Sequence, residues 1–296
     1  MGAKTMANVF LSLAREIADV ERQTNGIRQL TEHGMASRLL ALYLGRNWYE
    51  AKVAFCDDPD EWMHNRSRDE GIGRIIYFSR VIRLADAIFT LLNGRVKDGD
   101  VLKQRFLTRP TKPCFIEAEI ASLLVYNGFE VEIVAETGAR GDDFDLAATK
   151  NGVTLSIEVT AKEDQPLTVK AIHNTLANKR SQVPPHRPAV LYMRIPSDWM
   201  RDVAKAQSIF TEAFVKFFQR SRRFNAVILA WEDVWPVLTG AFTHMTMWGC
   251  YNNTPRHPYK DLQLLEPIPA SDGRVTLAYS FFDWLKGIEA KYVATS

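Results

Sequence analysis

Residues 153–161 constrain this chain more than any other stretch, because their side chains alternate without a break. Val153, Leu155, Ile157, Val159 and Ala161 form an apolar series. Thr154, Ser156, Glu158 and Thr160, followed by Lys162, form a polar one. Successive side chains of a strand point to opposite faces, so this period of two predicts a strand with one packed face and with Glu158 on the other. Asn151-Gly152 stands directly before it. That dipeptide suits a two-residue hairpin turn, whose central positions need positive φ, so a partner strand is expected over residues 144–148. On that partner, Phe144, Leu146 and Ala148 are expected on one face and Asp143 and Asp145 on the other.

The surrounding order extends the sheet. Residues 115–126 are expected to be helical and to stop at Asn127-Gly128, and residues 129–134 alternate like a strand. A helix over 169–182 precedes Pro184-Pro185, and a buried strand follows over 189–195. Next come a helix over 202–218, with Phe210, Phe214, Phe217 and Phe218, and a buried strand over 224–231. This order is that of a mixed sheet with helices packed on it.

Before residue 108 the pattern is helical. Val9, Phe10, Leu13, Ile17 and Val20 recur at three- and four-residue steps, one apolar helix face. Residues 73–92 are apolar on more than one side, the character of a helix buried inside a bundle, and Asn93-Gly94 ends them. Pro110 and Pro113 close a polar stretch, 97–113, and discourage continuous helix there. The expected fold class is therefore α+β: a helical domain over residues 1–108, then a mixed sheet flanked by helices over 109–296. The C-terminal end shows no clear period.

Composition narrows the function classes. Hydrophobic residues make up 46% and charged residues 24%, enough for a sizeable core and incompatible with a disordered chain. A net charge of +2 means that any surface for nucleic acid must be local. Cys56, Cys114 and Cys250 lie far apart, with no zinc-type spacing, which fits a reducing compartment. No apolar run reaches the ~20 residues needed to cross a bilayer, and no basic-then-apolar leader opens the chain, so a cytoplasmic protein without membrane contact is expected. Met6 stands where a myristoylation signal needs Ser or Thr.

The hairpin carries the chemistry. If its polar faces coincide, Asp145 and Glu158 become close neighbours. Adjacent carboxylates repel and call for a cation. Hard oxygen donors around an open position suit Mg²⁺ or Mn²⁺, which polarises a phosphoryl oxygen and activates water.

In order and context these residues resemble the restriction-endonuclease-like proteins, the PD-(D/E)XK superfamily. That family carries a glutamate on the first helix, an aspartate on the second strand, and a glutamate, one spacer and a lysine on the third. Glu117, Asp145 and Glu158 match the first three. The resemblance covers roughly residues 115–230 and implies a restriction-endonuclease-like sheet in which these three side chains bind the metal. Glu119 is a rival to Glu117 on the same helix. The family's lysine, which holds the nucleophilic water, falls at Thr160. Lys162 lies on the same face one pleat further, roughly 6.6 Å along the strand. Lys170 and Lys179 on the next helix are other substitutes.

Two functions follow as expectations. The first is a Mg²⁺- or Mn²⁺-dependent endonuclease hydrolysing DNA phosphodiester bonds, with a role in phage defence, restriction or mobile-element biology implied by the resemblance alone. Asp145, Glu158 and Glu117 would hold the metal and Lys162 would act beside them. Lys170, Lys179, Arg180 and Gln182 would lie along the nucleic acid, and the N-terminal helices would meet a second copy or a protein partner. The second is an inactive nuclease-fold module that binds nucleic acid or protein, with Thr160 marking the lost lysine. The cluster Arg220-Ser221-Arg222-Arg223 ends a helix, where cations suit the dipole, so a structural role is expected for it.

Overall fold

The alternating segment is a strand, and it sits in the middle of one seven-stranded sheet. The computed structural model describes residues 3–56, 63, 71–93, 96–136, 138, 143–162, 166–237, 240–265 and 281–293. The strands are β1 (Val96–Lys97), β2 (Glu130–Ile133), β3 (Leu146–Lys150), β4 (Val153–Ala161), β5 (Ala189–Arg194), β6 (Phe224–Val237) and β7 (Gly240–Tyr251). Their order across the sheet is their order along the chain. β2, β3 and β4 form an antiparallel meander; β4, β5 and β6 run parallel; β7 returns antiparallel to β6. Asn151 and Gly152 form the β3–β4 turn at φ 52° and 75°, the positive values that the dipeptide predicts.

Helices cover both faces, so the fold is mixed α and β. On one face lie α4 (Gly71–Asn93) and α6 (Thr111–Tyr126), whose side chains meet Leu155, Ile157, Val190, Tyr192, Ala226 and Ile228 in one apolar cluster. On the other lie α7 (Val169–Lys179) and α8 (Val203–Arg220), over Leu191, Met193, Val227 and Leu229. β5 and β6 are therefore packed on both sides, the reason their sequence is continuously apolar rather than alternating.

The N-terminal helices share the first cluster. In α1 (Ala3–Gln23), Phe10, Leu13, Ile17 and Val20 are buried. α2 (Arg28–Leu44) leads through the short α3 (Arg46–Tyr49) into a π-turn over Glu50–Ala54. α4 is enclosed by α2, α6 and β7, which accounts for its apolar character on several sides. The last helix, α9 (Phe281–Val293), folds back on α1 and α4; its Phe281 amide donates to Asp86 Oδ1 at 2.7 Å. No helix among the described residues is long and apolar enough to cross a membrane.

Three local expectations change. The polar stretch 97–113 is structured: it contains the end of β1, the whole of α5 (Gly99–Thr108) and the first turn of α6, where Pro113 needs no backbone donor. Phe144 does not share a face with Leu146. The chain bends at Asp145, and the Phe144 ring packs with Ile172 and Leu176 on the α7 side under the Arg187 guanidinium, 4.6 Å from the ring centre. The C-terminal region supplies a full strand, β7, whose pairing with β6 runs from Ala226↔Tyr251 to Val237↔Gly240.

Candidate active site

The bend at Asp145 places a carboxylate where β3 stops. The Val159 amide, with no strand carbonyl opposite it, donates to Asp145 Oδ2 at 2.8 Å. Glu158 lies beside it on β4 and is 1% exposed. Glu117 comes from α6 on the other side of the sheet end. It is buried, and its Oε2 accepts from Arg105 Nη1 at 2.5 Å. The same guanidinium stands 4.0 Å from Asp145 Oδ1 and also bonds the Val134 carbonyl. The three carboxylates expected from sequence thus face one another.

Their mutual field is visible in their proton affinities. Burial, followed by the Asp145 charge, pushes Glu158 up to about 8 against the pull of Lys179. Burial and Asp145 together raise Glu117 to about 7 although Arg105 lowers it. Asp145 is also raised, chiefly by burial, with the Val159 hydrogen bond working against that. Three acids face two cations, Arg105 and Lys179, so the site is one positive charge short. The Glu158 Oε2 atom is buried with no hydrogen-bond partner.

The cation at Glu158 is Lys179. Its Nζ donates to Glu158 Oε1 at 2.6 Å from the last turn of α7. Lys162 is placed elsewhere: it follows β4, its amide donates to the Arg194 carbonyl at 2.7 Å, and its ammonium makes no bond to the three carboxylates. Thr160 shares the Glu158 face and is half-buried. Lys170 and Arg180 are exposed on the outer side of α7. Gln182 is half-buried, and its carbonyl accepts from the Asp143 amide at 3.1 Å, which fastens the end of α7 to the Asp145 loop.

Two features escape a pattern-based reading. Arg105 lies in the stretch expected to be a linker. The signal was a lone arginine among α5 residues that otherwise pack, Leu102 and Phe106. The second is a buried ionic network around the last residue of β5 and Glu232 of β6. Arg83 pairs with both Glu119 and Glu232, Arg80 pairs with Glu232 at 2.6 Å, and Arg194 lies 3.8 Å from Glu119. Glu119, the rival of Glu117, belongs to this network rather than to the carboxylate site, because two residues along a helix turn the side chain to the opposite side.

Mg²⁺ is commonly held by one or two carboxylates with water completing the shell. The unpartnered Glu158 Oε2 and the Asp145 carboxylate are such a pair. Among the described residues no group of three or more His, Cys, Asp or Glu is arranged so that it could hold a metal ion. Neither family models, curated proteins nor solved structures match the chain.

Proposed function

We propose that this chain is a divalent-metal-dependent nuclease that hydrolyses phosphodiester bonds of nucleic acid, DNA in the first instance. The observation that carries the proposal is the buried, charge-deficient trio of Glu117, Asp145 and Glu158 with a lysine already bonded to one of them. Three acids buried together destabilise the fold unless a cation joins them. The order α6, β2–β3–β4 meander, α7 and parallel β5 supports a restriction-endonuclease-like arrangement, and the site lies at the break between β3 and β4 where that family's residues would fall.

Asp145 and Glu158 would hold Mg²⁺ or Mn²⁺, with Glu117 facing the open side. When bound, the ion would neutralise charge on a phosphoryl oxygen and make a water molecule more acidic. The remaining steps belong to the chain. Lys179, bonded to Glu158, would present its ammonium to orient the attacking water and face the growing negative charge on the phosphoryl group. The water oxygen would bond to phosphorus as the opposite P–O bond breaks, the water's proton passing to solvent and the departing sugar oxygen taking one from solvent. Arg105 would hold Glu117 in place and favour its ionised form against burial. In this scheme Lys179 takes the part that Thr160 cannot.

Incubation with supercoiled, linear duplex and single-stranded DNA in Mg²⁺, Mn²⁺ or EDTA, beside the Asp145→Ala, Glu158→Ala double variant, tests the reading. Cleavage that needs metal and vanishes in the variant is the expected result. Metal-independent cleavage, or cleavage that survives the double substitution, refutes it. Binding without cleavage on every substrate favours an inactive nucleic-acid-binding module, for which Thr160 is the supporting observation.

A further inference from the structure

The outer side of the α7–α8 layer carries two open depressions that share Arg220. One, about 700 Å³, is lined by Arg180, Arg220, Arg222, Arg223 and Arg256 among others and by no acidic residue. The other, about 370 Å³, runs between the two helices past Lys170, His173, Lys216 and Arg220. Its one acid, Glu212, is engaged by Lys216 at 2.5 Å. Together they make a track that follows α7 for its 11 residues, roughly 16 Å.

Helix dipoles account for only part of this. Arg180 and Arg220 end α7 and α8, where cations are favoured, but Arg222 and Arg256 lie outside any helix. Arg180, Arg220, Arg222 and Arg256 are all exposed, and none pairs with a carboxylate among the described residues. Crowded like charges repel, so such a surface is stabilised by an anion. The wall is also built in advance. Arg223 donates to the Arg180 and Val183 carbonyls at 2.9 and 3.1 Å, the Arg256 amide donates to the Arg222 carbonyl at 2.7 Å, and Asn252 Nδ2 donates to the Phe224 carbonyl at 2.9 Å. The depression adjoins the carboxylate site: Arg180 is the residue after Lys179, and Gln182 is bonded to Asp143.

We infer that this arginine-lined track is a phosphate-binding exosite that holds the backbone of a nucleic acid away from the point of cleavage, with Arg180, Arg220, Arg222 and Arg256 as its contacts. The inference rests on the reading that the chain acts on nucleic acid. It adds a surface that the carboxylate site does not require, and it makes the 220–223 cluster more than a helix end. Guanidinium groups on a rigid wall suit paired phosphate oxygens without selecting a base sequence.

The test is anisotropy of labelled duplex DNA in EDTA, across about 50 to 200 mM salt, for wild type and for the Arg180→Gln, Arg220→Gln, Arg222→Gln, Arg256→Gln variant. Arg223 is left intact because it builds the wall, and urea unfolding confirms that the variant is folded. The expected result is a loss of roughly 10- to 100-fold in affinity and a fall of about three to four in the slope of log K against log salt. Equal affinity and slope overturn the exosite. So does variant-sensitive binding to anionic phospholipid vesicles with none to DNA. Asp145→Ala, Glu158→Ala serves as the other arm. If wild type cuts DNA and the four-arginine variant binds and cuts as well, the exosite falls and the nuclease reading stands. If the arginines govern binding and nothing cuts, the exosite stands and the nuclease reading falls.

Discussion

Glu158→Gln is expected to stabilise the metal-free protein while abolishing the proposed nuclease activity. Glu158 is 1% exposed and its proton affinity is raised from 4.5 to about 8. A carboxyl whose folded value lies above its unfolded one binds more protons in the folded state between those two values. Its contribution is therefore fully present below about pH 4.5 and is lost as pH rises toward 8. At 1.36 kcal/mol per unit, the charge penalty at pH 7 is on the order of 3 kcal/mol, shared with Glu117 and Asp145 because the three titrate together. Glutamine keeps the shape and the acceptor for Lys179 and removes the charge. The expected gain is about 1–3 kcal/mol at pH 8 and near zero at pH 4.5, read by urea unfolding in EDTA. Mg²⁺ binds only the ionised carboxylates, so it should stabilise wild type increasingly as pH rises and leave the variant unchanged. A Glu158→Gln protein that is less stable than wild type at pH 8, or a difference that does not change with pH, refutes the reasoning.

Two further outcomes follow from the placement of charge. Lys179→Met should lower DNA cleavage by roughly 10²–10³-fold while Lys162→Met stays within about three-fold, since only Lys179 reaches Glu158; the reverse ranking in steady-state assays removes Lys179 from the mechanism. Glu232→Gln should cost roughly 3–5 kcal/mol in urea unfolding at pH 7, because it breaks a buried cluster rather than relieving one. Glu232 is held down at about 2, so its contribution is present above pH 4.5 and is lost as pH falls toward 2. A Glu232→Gln protein as stable as wild type at pH 7 would falsify the structural role given to the network.

How much of this is legible before any coordinates depends on whether a signal is local. The β3–β4 hairpin is local: an uninterrupted alternation and Asn151-Gly152 fix both strands, and so the nearness of Asp145 to Glu158. The helix–meander–helix order comes from sequence in the same way, whereas the choice of Glu117 over Glu119 comes from the resemblance to the restriction-endonuclease-like proteins. The bend at Asp145 is not local. Phe144 crosses to the α7 side because a ring is needed over Ile172 and Leu176, a demand made by a helix two elements away. Lys162 and Lys179 could not be ranked from spacing, because the choice depends on how α7 lies across the sheet. Arg105 was hidden by its polar, proline-bounded surroundings. β7 was hidden because its long pairing with β6 is a tertiary fact and its apolar and polar residues follow no strict alternation.

Two buried acidic clusters among the described residues differ in their charge balance. Around Glu232 there are three arginines, Arg80, Arg83 and Arg194, for two glutamates. Although burial alone would raise Glu232, those guanidinium groups hold it well below the ordinary carboxylate range. That cluster carries one arginine more than it has glutamates, leaves Glu119 Oε2 and Arg194 Nη1 without hydrogen-bond partners, and ties α4 and α6 to β5 and β6. Around Glu158 the balance is inverted, with two cations for three acids, an orphaned Oε2 and raised proton affinities throughout. A fold selected for stability alone would have no reason to keep such a deficit, since replacing one acid with an amide removes it. The deficit at Glu158 and the excess at Glu232 predict opposite pH dependence for Glu158→Gln and Glu232→Gln, which a single pair of titrations measures.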